Sequence, residues 1–171
     1  MLEKVAKAVQ AVLVADIAAQ LDVVEAYWTA QDDTVTLEDV QTWLLGHHPT
    51  ILERKQSDFP IVSIIALSED SESQTDQWGY GESVIPCIVH WFVDADSEAN
   101  CNKIVWRYGE AIDAVIRAHR HLAAGINVQG YIAKTEVSLV TRETPELGTS
   151  ADYFFTQMGV KTWQVRVEHY T

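Results

Sequence analysis

The pattern of apolar and polar positions is clearest between Ser83 and Leu122. From Ser83 to Val93 both alternating sets of positions are apolar, as in a strand covered on its two faces. Asp94-Ala95-Asp96-Ser97 then supplies turn formers and a residue able to cap free amides, which predicts a helix over Glu98–Leu122. In that helix Val105, Tyr108, Ile112, Val115, Ile116, His119 and Leu122 form one stripe. Lys103, Arg107, Glu110, Arg117 and His121 fall on another side. The first thirty residues, free of Gly and Pro, hold Leu2, Val5, Val9, Val12, Leu13, Ile17, Leu21, Val24 and Trp28 at helical spacing, which predicts a second long helix.

The remaining segments are shorter. Thr36-Leu37-Glu38-Asp39 reads as the capped start of a brief helix through Leu45, stopped by Gly46. Phe59–Leu67 is apolar on both sides and predicts a strand led by Pro60, whereas Ser68–Glu82 is polar and acidic and predicts a mobile loop. Past the long helix, Gly125 is expected as a C-cap and Asn127–Gly130 as a turn. Tyr131–Thr141 alternates as a half-wet strand, 142–152 reads as a second mobile loop, and Tyr153–Tyr170 closes the chain with a strand that Gly159 is expected to interrupt. Trp163, Val165 and Val167 should face inward. The order helix-strand-strand-helix-strand-strand predicts one α+β domain over 1–171: an antiparallel-rich sheet of about four strands with two long helices packed on it.

Composition narrows the function classes. Twelve basic against 25 acidic side chains give a net charge of −13, which argues against a surface that grips phosphates. No Lys or Arg occurs between Lys55 and Lys103, while Asp58, Glu69, Asp70, Glu72, Asp76, Glu82, Asp94, Asp96 and Glu98 all fall there. No apolar run approaches the roughly twenty residues needed to cross a bilayer, so no membrane role is expected. The N-terminal segment lacks the apolar centre and cleavage site of a targeting signal, and cytosolic synthesis is expected. Cys87 and Cys101 are the only cysteines. They could approach one another, but a cytosolic setting favours free thiols.

Motifs for catalysis are missing from the sequence: there is no phosphate loop, no Gly-x-Ser-x-Gly, no His-Glu-x-x-His and no Cys-x-x-Cys. His119 and His121 point about 200° apart on a helix and cannot close on one metal. A zinc site drawn from Cys101, His90 and His119 is the one metal constellation worth naming, and would make the chain a metal-assisted hydrolase. The stronger expectation is no enzyme, no cofactor and no metal. Six tryptophans point instead to protein contacts. Trp78 and Tyr80 lie in the acidic stretch, and Trp106 falls off the apolar face, where it either meets a partner or packs under the first helix.

The order of elements, together with Phe59-Pro60-Ile61-Val62-Ser63-Ile64, Ile88-Val89-His90-Trp91-Phe92-Val93, the Asp94–Ser97 turn and the helix from Lys103 to Ile112, resembles the phage tail terminator family over nearly the full chain. That resemblance implies a virion protein of the tail and neck region, made in the host cytoplasm. It implies a homo-oligomeric ring, usually of six copies, that ends tail-tube polymerisation and docks the connector of the head. The implied partners are the tail tube protein, the head-completion connector and, in contractile tails, the sheath, with DNA passing the lumen without specific binding. Under it Glu69, Asp70, Glu72 and Asp76 face the lumen or the tube end, and Trp78 and Tyr80 order on contact. The other assembly role in view is a different neck or head-closure component.

Overall fold

The computed structural model describes residues 1–46, 56–67, 80–123, 126–132, 138–142 and 154–170. Two helices, α1 (Leu2–Thr29) and α2 (Glu98–Ala118), lie on one face of a mostly antiparallel sheet, which gives the α+β architecture expected from the sequence. The strands are β1 (Thr42–Leu45), β2 (Ile61–Ala66), β3 (Tyr80–Ala95), β4 (His121–Ala123), β5 (Ile126–Ile132), β6 (Ser138–Arg142) and β7 (Phe154–Tyr170). The sheet order is β1-β2-β3-β7-β5-β4, with β6 also paired to β7. Among the described residues only β1 and β2 run parallel.

The spine of the sheet is the β3–β7 ladder. All sixteen residues of β3 pair β7, from Tyr80↔Tyr170 to Ala95↔Phe155. At about 3.3 Å per residue this ribbon is roughly 53 Å long. β5 and β6 pair successive stretches of the same edge of β7, Ile132 opposite Thr162 and Ser138 opposite Met158. The expected third strand, Tyr131–Thr141, thus corresponds to the end of β5 and most of β6. Asn127–Gly130, expected as a turn, lies within β5, and the register shift between Val128 and Tyr131 marks where that sequence disturbs the ladder without ending it. β3 tolerates Pro86 because its carbonyl accepts from Leu67 just past the end of β2, so the missing N–H faces a side where no β2 partner remains.

One alternating set of each central strand forms the core with the helices. Val62, Ile64, Ile85, Cys87, Val89, Trp91, Val93, Trp163, Val165 and Val167 meet Val5, Val9, Leu13, Ile17, Leu21 and Val24 of α1 and Val105, Tyr108, Ile112, Val115 and Ile116 of α2. α2 starts where the Asp94–Ser97 turn predicts, with the Ser97 side chain accepting from Asn100 N at 3.3 Å. Cys87 and Cys101 are both buried free thiols.

Gly159 does not interrupt β7. It stands opposite Trp91, and Gly109 of α2 lies on the other side of the same indole, so the two glycines make the slot that Trp91 fills. The indole is 1% exposed and its Nε1 donates to the Val105 carbonyl at 2.7 Å.

Three local expectations are corrected. The segment 36–45 is an extended strap ending in β1, not a helix. Its backbone groups are engaged from a distance: Leu37 N donates to Glu25 at 2.6 Å, the Tyr108 hydroxyl donates to the Glu38 carbonyl, and Gln41 N donates to the Pro60 carbonyl at 2.9 Å. A short capped turn cannot compete with those bonds. Gly46, at φ +69°, turns the chain after β1. α2 ends at Ala118, four residues early, because His119 leaves helical geometry to meet Asp16 of α1 and the next residues join β4. Arg107, expected on the outer side of α2, is buried.

Candidate functional site

The burial of Arg107 organises one end of the molecule. Its guanidinium lies 4.9 Å from the centre of the Trp28 ring, Nη2 pairs with Asp33 Oδ2 at 2.8 Å, and Nη1 donates to the Val35 carbonyl at 3.2 Å. Lys103 reaches the same Asp33 oxygen at 2.8 Å, and Val35 N donates to Oδ1 at 3.1 Å. The hydrogen bond from Lys103, then that from Val35 N, then Arg107 hold the Asp33 carboxyl well below the usual carboxylate range. Three donors on one carboxylate fix the strap to α2. Tyr108 completes the attachment, and burial, with Asp39, Glu38 and Asp94 nearby, pushes its phenol well above the ordinary range, so it remains a donor.

Around this clasp opens an acidic groove of about 590 Å³ lined by Asp32, Asp33, Glu38, Asp94, Asp96 and Lys103, among others. It lies at the end of the sheet where α2 begins and α1 finishes. Part of the acidity seen between Lys55 and Lys103 is therefore gathered at one pole. Among the described residues no group of three or more His, Cys, Asp or Glu side chains is placed to hold a metal ion.

A second feature is the face of the sheet turned away from the helices. The other alternating set of β2, β3 and β7 emerges there: Ile61, Ser63 and Ile65; Val84, Pro86, Ile88, His90 and Phe92; Met158, Val160 and Thr162, with Gln164 and Arg166 bounding it beside Pro86 and Val84. Phe59, Ile61 and Phe92 form a small buried cluster with Leu44 and Met158 packed on it. Ile65, Val84, Pro86, Ile88 and Val160 are half-buried. Among the described residues no helix covers this face. The strand pattern of the sequence, apolar on both sides, is explained on one side by the helices and on the other by this apolar sheet surface.

The third feature lies on the outer flank of α2, where a groove of about 340 Å³ is lined by Trp91, Val105, Trp106, Gly109, Glu110, Asp113 and Lys161. Trp106 is 63% exposed and does not pack under α1. Lys161 points up from β7 and donates to the Gly109 carbonyl at 2.9 Å, and burial pulls its amine below the ordinary range against the opposing pull of Asp113.

Of the site residues expected from sequence, Glu69, Asp70, Glu72, Asp76 and Trp78 lie outside the described residues, and Tyr80 opens β3 opposite Tyr170. The zinc constellation is not assembled. Cys101 is buried beneath α2 against the Val93 carbonyl, His90 lies on the opposite sheet face, and His119 pairs with Asp16 at the far end of α2. The clasp of Trp28, Asp33 and Arg107 was missed, because nothing in the spacing of those residues marks them as neighbours. The break at Gln31–Thr34 and the pair Lys103 and Arg107, one turn apart, are its only traces in the sequence.

No protein-family model matches the chain, and no curated protein matches it. Among solved structures, the chain is similar to a chain of a structure described as "Virion of native gene transfer agent (GTA) particle", at 16% identity and a TM-score of 0.35, over 88% of this chain and 91% of that one.

Proposed function

We propose that this chain is a virion structural protein that acts as a tail terminator. Copies join side by side in a ring, expected to be of six, which caps the tail tube, stops its growth and offers the surface on which the head connector docks. The observation that carries this reading is the apolar sheet face of Ile65, Val84, Pro86, Ile88 and Val160, turned away from both helices. Contiguous apolar surface of this kind marks a contact with another macromolecule. Three strands about 4.8 Å apart and some 25 Å of their length make a face of roughly 400 Å². A standard interface buries about 800 Å² per partner, so the ring contact extends beyond this face onto a sheet edge.

The net charge of −13 fits a conduit that must pass DNA without holding it, since an acidic wall repels the phosphate backbone. The work is done by surfaces, with no bond made or broken. Electron microscopy of particles assembled without this protein tests the proposal: tails of unregulated length, not joined to heads, are expected. Tails of normal length left unjoined would point to a head-closure component instead, and tails of normal length already joined to heads would overturn the assignment.

A further inference from the structure

The exposed stripe of α2 consists of Ala99, Asn102, Trp106, Glu110, Asp113 and Arg117, and all but two of its polar members are engaged within the chain. Asn102 accepts from Gln157 at 2.7 Å, and Asp113 pairs with Arg117 at 2.7 Å and with Lys161 at 3.7 Å. Trp106 and Glu110 are the two that reach outward. Trp106 makes no aromatic or cation contact, and Glu110 makes no salt bridge among the described residues, although its charge is felt at Lys161. They are four residues apart on a helix and therefore neighbours on one face, with the 340 Å³ groove beside them.

We infer that the Trp106–Glu110 face of α2 docks an arginine-bearing segment of a protein partner. The molecule itself supplies the template for the chemistry. At the clasp, an indole (Trp28), a guanidinium (Arg107) and a carboxylate (Asp33) form one set, the guanidinium over the ring and paired with the carboxylate. Trp106 and Glu110 present the indole and the carboxylate of the same set on an open surface, and a partner's arginine is the member that completes it. A planar guanidinium can lie on the indole face while its N–H groups meet the carboxylate, a geometry that lysine satisfies less well and an apolar side chain not at all. The strongly acidic balance of the chain favours a basic segment for the same reason. The inference does not rest on ring formation and holds for a monomer equally.

The test uses the full chain and the indole N–H resonance of Trp106, assigned by its disappearance in Trp106→Phe. The probes are three capped tripeptides, Ala-Arg-Ala, Ala-Lys-Ala and Ala-Leu-Ala. Saturable movement of the Trp106 resonance is expected with the arginine peptide, weaker movement with lysine and none with leucine. Glu110→Gln, an exposed substitution that leaves the fold intact, should weaken the arginine peptide about three- to tenfold. Equal response to the leucine peptide, or unchanged binding by Glu110→Gln, would overturn the inference. So would a Trp106 resonance that stays still with every peptide and moves only with protein concentration, because the occupant would then be a second copy.

Discussion

Replacing Gly159 by alanine tests the packing that places α2 on the sheet. Trp91 is held from three sides: by the β3–β7 ladder opposite Gly159, by α2 at Gly109, and by its own Nε1 bond to Val105. A methyl group at position 159 falls 2.0 Å from Trp91 Cε2 and 2.4 Å from its Nε1, and one at position 109 falls 2.8 Å from Trp91 Cζ2. Neither backbone can retreat without breaking ladder or helix bonds. Overpacking of this kind costs about 1–3 kcal/mol, and the overlap at position 159 places it at the top of that range. Replacing an interior glycine returns roughly 0.5–1 kcal/mol of chain entropy, which offsets little at position 159 but much of the smaller clash at position 109. A net loss of about 2–3 kcal/mol corresponds to a fall in Tm of roughly 4–12 °C for a domain of this size. Urea and thermal unfolding followed by circular dichroism measure it, with Gly109→Ala as the milder comparison. Trp91→Phe removes the pyrrole ring that the new methyl strikes, so in the Gly159→Ala background it should recover part of the loss, a coupling of 1 kcal/mol or more. Wild-type stability for Gly159→Ala, or a larger cost at position 109 than at 159, would refute the slot.

The clasp makes stability depend on acid. The folded carboxyl of Asp33 lies below the ordinary value of about 3.9, so its contribution is complete above that pH and is lost as the pH falls toward the lowered folded value. The stability difference between wild type and Asp33→Asn, measured by urea unfolding across this range, should therefore shrink on acidification, and a difference that stays constant would contradict it. Burial pushes both Cys87 and Cys101 up to about 12, with Asp94 adding to the effect at Cys101, so neither should react with a thiol reagent at neutral pH until the protein is unfolded. Rapid labelling of either in the native protein would contradict their placement. Ile88→Lys puts a charge on the apolar sheet face at a half-buried position. If copies assemble through this face as proposed, light scattering should show a smaller assembly for the variant than for wild type, while monomer stability moves by about 1 kcal/mol or less; equal assembly of the two would refute this face as the subunit contact.

The sequence by itself determined the elements that carry long, unambiguous periods. Leu2–Thr29 and the first five turns of α2 follow from spacing of three and four. β2 and the Ser83–Val93 part of β3 follow from runs apolar on both alternating sets, which already required both faces of those strands to be apolar, while β7 follows from the alternation of Trp163, Val165 and Val167 with polar positions. Local rules suffice there because each residue's burial repeats that of its neighbour one turn or two positions away. What only the tertiary structure decided is wherever a distant group outbids the local preference. The capping pattern at Thr36–Asp39 yields to an extended strap because Glu25, Arg107 and Tyr108 claim its backbone, and α2 stops early because His119 meets Asp16. Arg107 reads as a surface residue by its helical position, yet it is buried, because Trp28 and Asp33 arrive from another helix end to satisfy its charge. The same holds for Trp106 and Glu110. Their spacing places them on one helix face, but only the packed fold shows that this flank stays open while Asp113 finds Arg117 and Lys161. Exposure belongs to the arrangement of elements and not to any one of them.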